Sequence, residues 1–357
     1  MKRIAAALIG CVLMVWGAAG LAQDKALKKV VFAVTTKDIS VGHSAHSSVP
    51  QALGYWKEEG LDVTVASVEG SAAGLQQLGS GNIQIVSLGP EEILIGREKG
   101  VKIKGFYVQA RETIYRLVVP ADSPLQKVAD LRGKTIGVPA LASGSVPVAK
   151  ALVASVGIDP EKDVKFLAVG VGAPGRLALQ QKQVDALALW DTLQASLENS
   201  GMQVRRLDLP MLQEMIGQTL AARDDYVTEN AAVLVGFARG VAKATTFGLA
   251  NPEAAVRIHW KMYPETKPQT GDEAKALKDA MNVFNARFTL QRVDNRPDPR
   301  FGIGTLAQWD KLKSIFKDQK IIEGSVPAAD FYTSALLEQI NRFDRAAIVK
   351  QAREYKP

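Results

Sequence analysis

Short loops rich in glycine, serine and histidine stand in this chain where β-branched runs give way to helix patterns. Gly70-Ser71-Ala72 follows DVTVASV, Ser143-Gly144-Ser145 follows TIGVP, and each opens a helix. A helix N-terminus carries unpaired N–H groups and a partial positive charge. Small residues there let an anionic group approach the backbone, while hydroxyls add further donors. The same residues would also serve as plain helix caps. Ser87, in SLGPE, occupies a third such turn. His43 and His46, with Ser44 and Ser47, lie on the loop after the first strand. An imidazole there could donate to an anion, stack beside an aromatic ring, or simply fill the loop. Their spacing of three would also suit zinc, but only Asp38 stands near enough to add a ligand. Trp190 ends the run ALALW and offers either an aromatic wall or a core side chain; Asp191 caps the next helix or meets an amine. Arg111 is the candidate for charge pairing with an anion, or else an exposed hinge arginine. Arg176, after GVGAP, is a further one.

Signatures of catalysis are missing. The chain has no Walker loop, GxSxG, GxGxxG or HExxH, and one cysteine with three histidines leaves few players for a triad. No catalytic residue, cofactor or metal is expected, and His259, in VRIHWKMY, is read as structural.

The elements that must carry these loops alternate. Strands are expected at 30–35, 62–68, 83–88 and 101–108, with helices from Ser48 to about Glu59, from Ser71 to Leu78 and from Pro90 to Lys99. Such an order implies right-handed crossovers and a parallel sheet. After RLVVP at 116–120 a second series begins, with strands at 135–138, 164–169 and 186–190, helices at 145–156 and 174–181, and an edge strand at 203–207. TLAA at 219–222 reads as a return strand, and from Asn230 onward the pattern is almost wholly helical. The second unit is bracketed by RLVVP and TLAA, which suggests a lobe inserted within another lobe and joined to it by two crossing strands. Such a layout forms a hinged cleft. In open α/β sheets, ligands bind beyond the carboxyl ends of the strands, where all the loops above lie.

Residues 1–22 read as an export signal: MKR, then a short apolar run, then small residues that place the cut after Ala22. Leu8-Ile9-Gly10-Cys11 imitates a lipoprotein box and gives a competing cut. Removing 22 of 357 residues leaves 335, enough for two lobes. The sole cysteine, Cys11, leaves with the signal, and the net charge falls from +7 to +5 with Lys2 and Arg3. No basic run points to nucleic acid.

Several blocks together resemble a known family: ALGYWKEEGLDVTV, EGSAAGLQQLGSGNIQIVSLG, DLRGKTIGVPALASGS, VDALALWDT and TLAARDDYVTENAAVLVGFARGVAKA. They are similar to the substrate-binding proteins of alkanesulfonate, taurine and nitrate ABC importers, and to binders of thiamine pyrimidine precursors in the same superfamily. The resemblance runs from about residue 28 to 265. It implies a type II periplasmic binding protein: two α/β lobes with mixed, mostly parallel sheets, two crossing strands and a helical C-terminal extension. Lobe 1 would comprise 28–116 plus 223–357, and lobe 2 would comprise 117–222. The resemblance further implies a ligand trapped between the lobes and delivered to an inner-membrane ABC permease; the helix N-termini, serines and Trp190 of the loops suggest that a periplasmic monomer captures a small organic anion, a sulfonate or an aromatic carboxylate. Its pocket loops fall on His43, His46, Ser47, Gly70, Ser71, Ala72, Ser87, Ser143, Gly144, Ser145, Trp190 and Asp191. A pyrimidine receptor and an exported enzyme on the same scaffold are the alternatives. A fungal superfamily member that builds the pyrimidine from its own histidine uses a cysteine-rich motif, which this chain lacks.

Overall fold

The computed structural model describes residues 26–356, so the expected signal segment and Cys11 lie outside the described residues. The strands are β1 (Lys28–Val34), β2 (Leu61–Ser67), β3 (Ile85–Leu88), β4 (Ile103–Val108), β5 (Tyr115–Pro120), β6 (Thr135–Val138), β7 (Lys165–Ala168), β8 (Ala186–Trp190), β9 (Val204–Arg206) and β10 (Thr219–Arg223). They form two five-stranded sheets, in the orders β2-β1-β3-β10-β4 and β7-β6-β8-β5-β9. Within each sheet the strands separated by helices pair in parallel, as short β-branched runs joined by crossover helices must. One strand in each sheet runs against the rest: β10 is antiparallel to β3 and β4, and β5 to β8 and β9.

These two antiparallel strands are where the chain exchanges lobes. The expected boundaries at 116/117 and 222/223 cut through β5 and β10. Sheet membership places the passages earlier, at 109–114 and 215–218. There the two segments pair with each other: Gln109 N donates to Gln218 O (2.7 Å), Gly217 N to Ala110 O (3.0 Å) and Thr113 N to Met215 O (2.8 Å). Among the described residues these two hydrogen-bonded passages are the chain's crossings between the sheets, which makes a narrow hinge.

A single helix from Ser48 to Glu59 does not form. The segment breaks into a 3-10 turn at Val41–His46 and two short helices, Ser48–Ala52 and Tyr55–Glu58, because Gly54 takes φ +75°. Ser48 makes no cap; its hydroxyl meets His259 Nδ1 at 2.9 Å, while His259 Nε2 lies 2.8 Å from the carbonyl of Ile39. This buried histidine therefore pins the loop after β1 to the C-terminal helices, the structural role expected of it.

The chain beyond β10 wraps the first lobe. Helix Ala231–Ala250, apolar and long, is buried at 13 positions rather than exposed on one face. Trp56 stacks on its Phe237 at 5.1 Å and donates to the Phe237 carbonyl. Helix Glu273–Gln291 packs on this helix, on Pro252–Met262 and on the turn Val41–His46, yet it also lies along the second lobe's helix Asp191–Asn199.

Candidate ligand-binding site

The helices Ser71–Gly79 and Pro90–Glu98 of the first lobe and Ser145–Ala154 and Asp191–Asn199 of the second all begin at the junction of the lobes. The lobes touch there. Ala72 N donates to Ala142 O at 3.2 Å, and a Cβ on Gly70 would strike the Ala142 backbone. A Cβ on Gly144 would lie 2.8 Å from Glu91 Oε1 and 2.9 Å from Ser71 Oγ, and would overlap the Tyr115 hydroxyl. Ser71 and Glu91 of the first lobe and Tyr115 of the second thus converge on the bare Gly144 and form a closed polar box. Beside it, Ser143 and Ser145 share a hydroxyl contact of 2.9 Å, and Ser143 Oγ accepts from Ser145 N.

A second polar group descends from the loop after β1. Ser87 Oγ donates to Gln109 Oε1 (2.6 Å), and Gln109 Nε2 donates to His46 Nδ1 (2.9 Å). That chain fixes the His46 tautomer: Nδ1 accepts, so Nε2 carries the proton. His46 Nε2 is buried without a partner, as are Ser44 Oγ and Glu91 Oε1. Buried polar atoms are nearly always satisfied, so these three, two on the turn Val41–His46 and one at the start of helix Pro90–Glu98, stand out as unpaired.

Charge in the cleft is tightly held. Arg287, fully buried on helix Glu273–Gln291, donates twice to Asp191, from Nε and from Nη2, at 2.6 Å each. Burial, followed by the charge of Arg287, drives the His43 pKa well below the usual imidazole range and that of His46 down to about 3. Both rings are neutral at physiological pH. Burial raises the Glu91 carboxyl well above its usual range and Glu92 to about 7, which favours the protonated form of each.

Of the expected contacts, His43, His46, Gly70, Ser71, Ala72, Ser87, Ser143, Gly144, Ser145, Trp190 and Asp191 are gathered at this junction. Two are turned to other duties. Ser47 Oγ donates to the His43 carbonyl inside its own turn. Arg111 donates to the carbonyls of Asp298 and Arg300, and so braces a C-terminal loop. Arg176 lies on helix Ala173–Gln180, away from the box. Asp191 neutralises an arginine instead of meeting a ligand amine. Tyr115, Gln109 and Arg287 escaped sequence reasoning. Arg287 left one trace: it falls on the stripe Ala276, Ala280, Phe284, Phe288 that faces inward along its helix. Among the described residues no three of His, Cys, Asp and Glu gather as a metal set.

A family model described as NMT1/THI5 like matches residues 44–255, more than half of the chain. This chain belongs to the NMT1/THI5-like family. Among its relatives, the formylaminopyrimidine-binding protein of Halalkalibacterium halodurans is 22% identical over 286 residues, covering 79% of this chain and 83% of that one. A Brucella abortus protein described only as a binding protein is 26% identical over 250 residues, 68% and 75% of the two chains. In solved structures, the alkanesulfonate-binding protein SsuA of Xanthomonas axonopodis pv. citri, bound to MOPS, superposes with a TM-score of 0.64 at 16% identity, over 85% of this chain and 98% of that one. A protein from Bordetella bronchiseptica reaches 0.68 at 24% identity, over 89% and 98%. The family member has the periplasmic binding protein fold, with two mixed α/β sheets and a helical C-terminal region.

Three outcomes follow from this geometry. Gly144 has φ −61°, which alanine accepts, but its Cβ would overlap the Tyr115 hydroxyl of the same lobe and press on Ser71 and Glu91 of the other, so Gly144→Ala should both lower the melting temperature and part the lobes, the latter read as a larger radius of gyration in X-ray scattering. Arg287→Ala strands a buried carboxylate and should cost about 3–5 kcal/mol in urea unfolding, and pairing Arg287→Met with Asp191→Asn should restore much of it. The third concerns pH. Between pH 6.5 and 4.5 the unfolded chain protonates its histidines while the folded one does not, which weakens the fold. Over the same range Glu92, raised to about 7, holds its proton only when folded, and the upward shift of Glu91 acts in the same direction, which strengthens it. Below 4.5 the unfolded carboxyls are protonated as well, so the raised pair adds nothing further, while the histidine penalty and the loss of depressed carboxylates such as Asp298 both grow. The urea midpoint should therefore fall gently from pH 6.5 to 5, where three histidines oppose two carboxyls, and more steeply below 4.5.

Proposed function

We propose that this protein is an exported solute receptor, cut after Ala22, that closes its two lobes on a small uncharged nitrogen heteroaromatic of the aminopyrimidine kind and delivers it to an inner-membrane ABC permease. The observation that carries this reading is the charge state of the cleft. The guanidinium buried there is matched by Asp191, the two imidazoles are neutral, and burial favours the protonated form of Glu91, which keeps a free oxygen. A sulfonate or carboxylate held at the box would find no buried cation free to pair with it, Lys37 being exposed on the cleft's outer lining, and an uncompensated buried charge costs several kcal/mol. An aminopyrimidine edge presents a ring-nitrogen acceptor beside an exocyclic N–H donor, and a protonated carboxyl presents the matching O–H and carbonyl oxygen. The name of the Halalkalibacterium relative supports the same ligand class.

The organic anion expected from the loops remains the second reading, because four helix N-termini meet at the box and the alkanesulfonate-binding protein shares the fold. Closure itself requires only that the ligand bind the closed state better than the open one. No group in the cleft is placed as an activated nucleophile or base, which favours capture over turnover.

Calorimetry with 4-amino-5-hydroxymethyl-2-methylpyrimidine, ethanesulfonate and benzoate separates the two readings. The pyrimidine should bind with favoured affinity, and Glu91→Gln should weaken it by about 10- to 100-fold, the effect of spoiling one buried hydrogen-bonded pair. Tighter binding of ethanesulfonate or benzoate, insensitive to Glu91→Gln, would overturn the proposal.

A further inference from the structure

Gln109 heads the first passage between the lobes. Its backbone N–H donates to the Gln218 carbonyl of the second passage at 2.7 Å, so the residue is anchored at the pivot itself. From that fixed point its side chain reaches back into the first lobe and joins two loops of the cleft. The Ser87 hydroxyl, in β3, donates to Oε1 at 2.6 Å, and Nε2 donates to His46 Nδ1 at 2.9 Å. All of these side chains are buried. The turn that carries His46 lies against the second lobe: a Cβ on Gly42 would strike the Thr192 side chain, and His43 lines the cavity between the lobes together with Lys37, Asp38 and Trp190. The rings of His43 and His46 meet edge to face, with centroids 5.5 Å apart.

The chain Ser87–Gln109–His46 can run in either direction. A hydroxyl donates or accepts, a half-turn of the Gln109 amide exchanges its oxygen with its nitrogen, and a neutral imidazole holds its proton on either nitrogen. Reversal therefore relocates protons and leaves the other atoms almost where they are. His259 is the contrasting case. Its Nε2 faces the Ile39 carbonyl, which only accepts, so Nε2 must carry the proton and Nδ1 must accept from Ser48. No such group pins the His46 chain. Among the described residues the Ser87 hydroxyl meets only Gln109, and the buried His46 Nε2 meets no partner.

Bond lengths choose the resting direction. The Ser87–Gln109 contact of 2.6 Å suits O–H···O, whereas N–H···O prefers about 2.9–3.0 Å. At rest His46 Nε2 is thus a donor. A group that brings its own N–H to that nitrogen reverses the chain and meets an acceptor, provided it binds that form better than the resting one.

We propose that Gln109 is a positioning residue of the receptor: the direction of its amide decides which nitrogen of His46 is protonated, and so whether the turn Val41–His46 meets a ligand as donor or as acceptor. This rests on the solute-receptor reading above and adds how the polarity of the ligand's edge is read. Gln109 acts only through His46, and its place at the pivot keeps the amide in register with both lobes.

The test uses the full mature protein with isotope-labelled histidine. His43, His46 and His259 are its only histidines, few enough to assign singly, and nitrogen NMR at neutral pH separates the two uncharged tautomers. Wild type should show His46 protonated on Nε2. Ser87→Ala touches no atom of His46 but removes the donor that orients the Gln109 amide, and should bring His46 to roughly an even mixture of tautomers. Gln109→Met, close in volume and unable to hydrogen-bond at either end, serves as the second variant and should also mix them. Saturating Ser87→Ala with 4-amino-5-hydroxymethyl-2-methylpyrimidine, whose ring nitrogens are acceptors, should restore the Nε2–H form. Its affinity in calorimetry should fall by about 2-fold, the reciprocal of the competent fraction. One His46 tautomer common to wild type and both variants would overturn the proposal, and so would a mixture that the bound pyrimidine leaves unchanged. Failure of the pyrimidine to bind wild type would overturn the aminopyrimidine reading, and the link between His46 and recognition with it.

Discussion

The ion pair between Arg287 and Asp191 is the interaction on which the cleft depends. It joins a helix of the C-terminal region to the first residue of a helix in the second lobe, and so ties the lobes together beside the hinge, whose Ile114 carbonyl accepts from the Asp191 amide. Along the same two helices, Asn199 donates to the Asp279 carbonyl and Asn282 to the Asn199 side chain, so the contact is a polar seam. A seam of hydrogen bonds can separate and be solvated, whereas an apolar one would resist opening; the pairing is therefore compatible with lobes that part and meet. Two ions taken out of water gain little net stability from each other, but removing one partner is costly. The pair consequently sets where the second lobe can dock more than how strongly it does.

The same guanidinium shapes the electrostatics around it. Its charge, added to burial, keeps both histidines deprotonated, so the turn above β1 offers a neutral N–H where a cationic ring would be expected at an anion site. Glu91 favours its protonated form for the mirror-image reason, since burial disfavours its anion. The cleft thereby collects many hydrogen-bonding groups with almost no net charge, and selectivity rests on the placement of donors and acceptors.

Much of this arrangement was legible in the residues, and the divisions have physical causes. The turns at 70–72 and 143–145 were visible because a strand followed by small residues and a helix is a local pattern, and the open α/β architecture then dictates which end of the sheet they occupy. The lobe order was legible because RLVVP and TLAA interrupt the alternation of strand and helix. Tyr115 and Gln109 were not, since each becomes functional through neighbours brought in by the sheet: Gly144 for one, Ser87 and His46 for the other. Arg111 misled because a lone arginine before a crossing segment looks free, whereas its partners, the carbonyls of Asp298 and Arg300, lie almost two hundred residues later. The charge state of the cleft was hidden for the same reason. Net positive composition and serine-rich turns suggested an anion, and only burial showed that the one arginine present was already spoken for.

The exchange of β5 and β10 between sheets has a consequence for how the chain is assembled. The second sheet uses a continuous stretch, 115–206, and can form as soon as that stretch is available. The first cannot: β3 and β4 are adjacent only through β10, which is made after the entire second lobe. A chain emerging from its N-terminus must therefore carry an unpaired β3 edge through roughly 130 residues of synthesis, a long wait at high contact order. Exposed strand edges of that kind pair readily with other chains. Slow completion of the first sheet therefore leaves that edge to be guarded until β10 arrives.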